Sequence, residues 1–237
     1  MTFSPSFGRI FSPSFKPNSL ADAVVAGGWW LSGGISAANC IGAYQAKGVA
    51  DLATSYINLA NPGTYNAAPG TAPTWDVTNG WIFNGTSQYL KTGITAENDQ
   101  TWSLICRFSN YTQSNVDVLI GAYLNGGSYQ GIMLSPYWSG GNKLFFNGGN
   151  ASHAGVSTSG VLAVGGNIGY LNGSAVTGAI GANAGDFYPI KIGVGGTIAD
   201  GVVNGSYSNV YIQACAIYDI ALTSTQVGLL TTAMNAL

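Results

Sequence analysis

Charge is what this chain has least of. Only seven of its 237 residues are Lys or Arg and nine are Asp or Glu, 7 % together, where an ordinary soluble domain carries about 25 %. Seven dispersed basic residues and a net charge of -2 leave no electrostatic footprint for a polyanion, so no nucleic-acid partner is expected. Glutamate occurs once, at Glu97, and histidine once, at His153. Glycoside hydrolysis needs two carboxylates flanking the scissile bond. Here Asp22, Asp51, Asp76, Asp99, Asp117, Asp186, Asp200 and Asp219 are scattered, most of them at turns, where Asp is at home in its own right. His153 sits in Asn150-Ala-Ser-His-Ala-Gly155 with no nucleophile-elbow sequence, and reads as a solvated loop residue. The three cysteines, Cys40, Cys106 and Cys215, are odd in number and far apart, which excludes a disulfide ladder and a metal-type pair. Cys106 and Cys215 fall at inward positions of predicted strands and are expected to be buried free thiols, which fits a reducing compartment. No run of 18 apolar residues exists, so no membrane-spanning helix is expected. The apolar stretch Ala23–Leu31 is broken by Gly27-Gly28 and preceded by Asp22, unlike a signal peptide. Synthesis in the cytoplasm is expected, with no membrane partner.

What the chain has instead is glycine (35 residues), aromatic side chains (12 %) and a 46 % hydrophobic share. These exclude a disordered chain and, with so much Gly, Asn, Ser and Thr, a long helical bundle. Six Asn-Gly dipeptides begin at Asn79, Asn84, Asn125, Asn147, Asn172 and Asn204; each is a hairpin signal, because both residues tolerate positive φ. Trp81–Phe83 and Gln88–Leu90 bracket one of them as the two arms of a hairpin. Thr101–Phe108 alternates, with Trp102, Leu104, Cys106 and Phe108 on one face. Further strands are predicted at Val116–Tyr123, Gly131–Leu134, Lys143–Phe146, Val161–Leu171, Ile190–Val194 and Asn209–Tyr218. In the last, Val210, Ile212, Ala214 and Ala216 share one face and Tyr211, Gln213, Cys215 and Ile217 the other; both are apolar enough for a central strand. Many short strands with turns between them make a sandwich or a barrel. Two helices are expected: a short one within Asp51–Leu59, stopped by Asn61-Pro62-Gly63, and a C-terminal one. The second opens on the capping box Thr223-Ser-Thr-Gln226 and carries Val227, Leu230 and Met234 at helical spacing.

Residues 1–24 read differently from the rest. Phe3-Ser-Pro-Ser-Phe7 repeats as Phe11-Ser-Pro-Ser-Phe15. Each proline imposes an extended or turn conformation on itself and its predecessor, and two copies cannot build a solenoid. The segment is expected to be an extended arm with four phenylalanines, Phe3, Phe7, Phe11 and Phe15, to bury in a partner. A surface this poor in charge favours association, so a homo-oligomer or lattice is expected, and residues 25–237 form the domain that the arm serves.

The order of motifs in that domain resembles the concanavalin A-like, laminin-G-like jelly roll. It starts with Ile41-Gly-Ala-Tyr44, Asp51, the turn-rich stretch through Asn61-Pro-Gly-Thr64 and Pro73-Thr-Trp75. Gly80-Trp-Ile-Phe-Asn-Gly-Thr-Ser-Gln-Tyr-Leu90 resembles the family's F-x-G-x-x-x-Y strand and turn, and Thr101–Phe108 the core strand that follows. Ile168-Gly-Tyr-Leu-Asn-Gly173 resembles its V-Y-x-D-G hairpin, and Ile192-Gly193 with Ile217-Tyr-Asp-Ile-Ala-Leu-Thr-Ser-Thr-Gln226 its closing signature. The resemblance spans about residues 40–230. It implies an all-β fold of two antiparallel sheets of about six or seven strands, here with a short C-terminal helix and the N-terminal arm. Family members often hold calcium, which implies oxygen ligands from Asp99 and Asp117 or from Asp186 and Asp200; no other cofactor is expected. The chain also resembles modules of bacteriophage virions, where such sandwiches serve as capsid decorations or tail and fibre parts, a fold-level analogy.

These readings converge on a non-enzymatic structural and interaction protein of a virion, docked on neighbouring subunits through its arm. The alternative is a lectin-like module. Tyr129, Tyr137, Trp138 and Asn142, with Phe145-Phe146 nearby, would then offer rings for a sugar to stack on and amides for its hydroxyls, although core or subunit contact explains the same rings. A glycoside hydrolase is the third reading.

Overall fold

The computed structural model describes residues 28–97, 101–112, 116–124, 130–138, 143–147, 150–152, 157–176, 188–198 and 202–237. Among them the strands are β1 (Cys40–Gln45), β2 (Ala68–Thr71), β3 (Thr74–Asp76), β4 (Gly80–Asn84), β5 (Tyr89–Thr95), β6 (Ser103–Thr112), β7 (Val116–Asp117), β8 (Ile120–Leu124), β9 (Gln130–Leu134) and β10 (Tyr137–Trp138). They continue as β11 (Lys143–Asn147), β12 (Asn150–Ser152), β13 (Gly160–Gly165), β14 (Ile168–Leu171), β15 (Ser174–Ala175), β16 (Pro189–Ile192), β17 (Val194–Ile198), β18 (Val202–Tyr207) and β19 (Asn209–Tyr218). Helix α1 is Leu52–Ser55 and α2 is Ser224–Asn235. Every strand pair is antiparallel. A back sheet runs β15-β14-β13-β6-β19-β4-β3, with β1 also on β19, and a front sheet runs β12-β11-β9-β8-β16-β5-β2. The expected two-sheet antiparallel sandwich with a short C-terminal helix is the fold.

Alternation builds the core between the sheets. The back sheet sends in Trp81, Phe83, Leu104, Cys106, Phe108, Leu162 and Val164; Leu90, Ile94, Ile120, Ile132, Leu134, Ile190 and Ile192 meet them from the front. Unusually, the back sheet is apolar on its outer side as well. Ala43, Ile105, Val161, Ala163, Tyr170, Ala214, Ala216 and Tyr218 pack there against Val227, Leu230, Ala233 and Met234 of α2 and against Trp29 and Ile35. The four alanines leave room for a helix to seat on the sheet. Its start is fixed as the sequence predicts: the Thr223 side chain accepts from Gln226 N, and the Gln226 side chain takes the Thr223 N–H in return.

Val116–Tyr123 is two strands, β7 and β8, and Ile190–Val194 is divided at Gly193 between β16 and β17; three other expectations need fuller correction. The faces of β19 do not follow a single alternation, because the pairing with β6 shifts between Ile212 and Ala214. Val210 and Ile212 point into the core before the shift, and Cys215 and Ile217 after it, while Ala214 and Ala216 turn out toward α2. The extra residue is Gln213, whose carbonyl accepts both Ala46 N (2.9 Å) and Lys47 N (3.0 Å) where β1 gives way to β4 along the same edge. One bulge thus lets a single strand face two cores. Second, Asn84-Gly85 does not close a hairpin: β4 lies in the back sheet and β5 in the front. The Asn84 side-chain oxygen gathers Thr86 N, Ser87 N and Gln88 N at 3.0, 3.0 and 3.3 Å, and this carries the chain from one sheet to the other. Third, Val161–Leu171 is two strands, β13 and β14, paired with each other across Gly166-Asn167. Asn172-Gly173 does join β14 to β15, with positive φ at both residues (52° and 80°) as a two-residue turn of this kind requires.

All three cysteines are free and buried, as expected of Cys106 and Cys215. Cys106 and Cys215 are direct cross-strand neighbours. Burial pushes the Cys40 thiol up to about 12 and raises the other two as well. A thiol reagent at pH 8 is therefore expected to label no cysteine of the folded chain and all three after denaturation. Rapid labelling of the native chain would contradict the burial.

Candidate functional site

The loop after α1 is held by a dense set of hydrogen bonds. Asn58 is fully buried and its carboxamide is saturated. The oxygen accepts from Ala43 N (2.9 Å) and Ala60 N (3.1 Å), and the nitrogen donates to Ile41 O and Thr64 O (both 2.9 Å). Asn66 repeats the device, accepting Asn58 N at 2.9 Å and Gly63 N at 3.2 Å. Leu59 N reaches Ala43 O on β1, and Ala67 N reaches Tyr56 O. These bonds hold residues 57–67 to the edge of the sandwich as one piece.

Out of that piece stands Tyr65. Its φ is 56°, an outlier for so bulky a side chain, and its carbonyl accepts the hydroxyl of the buried Tyr44 at 2.6 Å. The side chain is nonetheless 47 % exposed. The ring lies at the margin of the front sheet, where Cδ1 is 3.5 Å from the position a Cβ on Gly93 would take. Strain held by a saturated frame, with a large ring turned outward, is a pattern met at binding sites.

The outer face of the front sheet continues from there. Along β5, Leu90 and Ile94 point into the core, which puts Tyr89, Lys91, Gly93 and Thr95 on the outer side. The Tyr89 ring lies flat against Gly70 of the edge strand β2, where a Cβ would come within 2.0 Å of Cζ; only glycine permits this contact. Tyr207 approaches the same ring at 6.4 Å between centroids. Burial, and then the neighbouring Tyr89, raise the Tyr207 hydroxyl above its ordinary value, so it stays a neutral donor at physiological pH. Lys191 Nζ sits 5.8 Å from the centre of the Tyr89 ring, a cation–π arrangement. Pro69 on β2 helps keep this edge from pairing with another strand.

The residues expected to bind sugar do not gather here. Tyr137 is partly buried and packs against the core; among the described residues its strand, β10, pairs with the short β7 through Tyr137↔Asp117 and Trp138↔Val116. Tyr129 and Asn142 lie outside the described residues, as do the arm phenylalanines Phe3, Phe7, Phe11 and Phe15, and His153. Of the four carboxylates named for calcium, Asp117 alone lies among the described residues. Asp117 is fully buried and accepts the Tyr111 hydroxyl at 2.6 Å, and no three His, Cys, Asp or Glu side chains cluster among the described residues. Asp99, Asp186 and Asp200 lie outside them. Asp51 caps α1 by accepting Thr54 N, and Asp76 accepts the Asn79 side-chain amide, Asn79 N and Thr78 N in the β3–β4 turn; these bonds hold both carboxyls below the usual range. Sequence reasoning passed over Tyr65. The available signal was a lone large aromatic inside the Asn61-Pro-Gly-Thr-Tyr-Asn66 run, where nothing periodic asks for one.

No protein-family model and no curated protein matches the sequence. Solved structures do. The chain is similar to Trypanosoma rangeli sialidase, both with 2,3-difluorosialic acid as a covalent intermediate (TM-score 0.57, 16 % identity) and with sialic acid (TM-score 0.55, 16 % identity); each match covers 84 % of this chain and 33 % of the sialidase. It is also similar to the binding domain of Paraclostridial Mosquitocidal Protein 1 (TM-score 0.51, 12 % identity), with 82 % of this chain and 52 % of that one covered. The chain therefore spans about a third of the sialidase and half of the toxin binding domain. Likeness at such identities establishes the sandwich fold. It corrects the expectation of a non-enzymatic protein, since chains that share this sandwich include sialidases, which are enzymes. The virion setting draws nothing from these matches.

Proposed function

We propose that this sandwich binds glycans on the outer margin of its front sheet, with Tyr65 as the stacking ring and Tyr89, Lys91 and Tyr207 beside it. The observation that carries the proposal is the exposure of Tyr65 at positive φ on a loop fixed by Asn58. A saccharide face is apolar in its C–H groups and needs a flat ring already in place. A ring that loses no backbone freedom on binding gives affinity at low entropic cost. Thr71, the cross-strand partner of Tyr89, and Thr95 line the same side and can meet sugar hydroxyls. The sialidase crystallised with sialic acid shares the fold, which agrees with a saccharide ligand.

The test is a glycan array, followed by calorimetry on the glycans bound. Tyr65→Ala is expected to weaken binding by at least tenfold, equivalent to about 1.4 kcal/mol, and to leave the unfolding midpoint within a few degrees, because the side chain is half exposed. Tyr65→Phe should keep most of the affinity. An array without a hit, or a Tyr65→Ala chain that binds as well as the original, would refute the proposal.

A further inference from the structure

The cluster beneath α2 covers the outer side of the back sheet as far as Ile105, Val161 and Ala214. The next outward residue of β6 is Arg107, because Cys106 and Phe108 point into the core. Arg107 lies between Ala214 of β19 and Val161 of β13, whose side chains accept no hydrogen bond. It is half-buried, and its Nη1 is buried without a partner. Burial alone pulls the guanidinium below its ordinary value, with no opposite charge acting to offset it. A guanidinium cannot shed its charge as a buried lysine can, and a charge taken out of water without a partner is costly. Other groups gather beside it. Ser109 is the next residue along the same face, and the bulged Gln213, 8 % exposed, donates through Nε2 to Ser109 Oγ at 3.3 Å. That bond uses an acceptor site of Ser109 and leaves its O–H to donate. Tyr211 stands opposite Ser109 and Ile82 opposite Tyr211. Both are half-buried on the outer side, since Val210, Ile212, Trp81 and Phe83 point inward.

We infer that this patch binds a small organic monocarboxylate, with its head group on the Arg107 guanidinium and the Ser109 hydroxyl and its apolar body across Tyr211 and Ile82. A carboxylate matches the guanidinium fork in shape. Its single negative charge balances the single positive one, where a doubly charged phosphate would bring an excess. The ring of Tyr211 and the side chain of Ile82 give an apolar body something to cover. The patch belongs to the back sheet, away from the Tyr65 margin, and stands independently of the glycan reading. Arg107 is then a binding residue that the ligand-free fold keeps at a cost in stability.

The experiment is calorimetry on the full chain with acetate, hexanoate and phenylacetate, with hexanamide and phenylacetamide as uncharged matches and inorganic phosphate as a second anion. Hexanoate or phenylacetate is expected to bind about tenfold more tightly than its amide, and more tightly than acetate or phosphate. Arg107→Met should abolish that preference. Without ligand, Arg107→Met should also raise the unfolding midpoint by about 2–4 °C, because an unpaired charge is replaced by an apolar chain of similar length. A residue with a merely structural role would move the midpoint the other way. Ser109→Ala should weaken binding severalfold. No carboxylate bound by the original chain, equal binding of acid and amide, phosphate bound more tightly than the carboxylates, or binding that survives Arg107→Met would each overturn the inference. So would a midpoint that falls in Arg107→Met, which would make Arg107 a support of the fold.

Discussion

Asn58→Ala is expected to destabilise the fold by roughly 3–5 kcal/mol, more than a buried polar residue of its size ordinarily costs. The carboxamide satisfies four backbone groups on three segments: Ile41 and Ala43 of β1, Ala60 beside it, and Thr64 ahead of Tyr65. Alanine leaves the buried ones without partners, each at about 1–3 kcal/mol, and cuts the loop from β1. Thermal unfolding should show the loss as a fall in midpoint of roughly 10 °C. Any glycan affinity should fall with it, below the level the residual folded fraction accounts for, because Tyr65 then has to be ordered on binding. Asn58→Asp is the informative companion: it keeps the acceptor and loses the two donations to Ile41 and Thr64. A midpoint unchanged in Asn58→Ala would show that the loop is not held as described.

The second large effect is expected at Gly193, the buried residue between β16 of the front sheet and β17. Its φ is 82°, and a Cβ there would lie 2.4 Å from two carbons of the Phe83 ring. Its N–H donates to Leu119 O at 2.8 Å and its carbonyl accepts Ser208 N at 3.1 Å, so the backbone cannot swing away. Gly193→Ala combines the cost of the left-handed conformation, about 1–2 kcal/mol, with overpacking of about 1–3 kcal/mol. The two components separate in a double-mutant cycle. Phe83→Leu in the same chain should recover the overpacking part and leave the conformational one, so the double variant should be more stable than the sum of the single losses requires. Strict additivity would place Phe83 outside the conflict.

How much of this was legible depended on whether the information was local. The inward face of Trp102, Leu104, Cys106 and Phe108 and the α2 capping box follow from spacing within one element, and the structure has them as read. The Ile192-Gly193 pair stood out as part of a resemblance, but the reason for its glycine is the Phe83 ring more than a hundred residues earlier in the chain. The β19 faces were half legible. Both are apolar, as its central place demands, but the bulge at Gln213 answers to where β1 ends and β4 begins, which no local pattern encodes. Asn84-Gly85 reads as a hairpin in sequence because a tight turn looks the same whether its strands pair or part. The site was missed for a related reason. Runs of rings near Tyr137 drew attention, whereas Tyr65 is notable only through Asn58, Tyr44 and Gly93, partners that come together in the fold.

The double burial of the back sheet gives the molecule a polarity. Trp29 and helix α2 lie on the outer side of that sheet, whereas Tyr65 stands at the edge of the sandwich beside Gly93 of the front sheet. A scaffold tethered through α2 would hang behind the sandwich like a handle, on the side away from the front sheet.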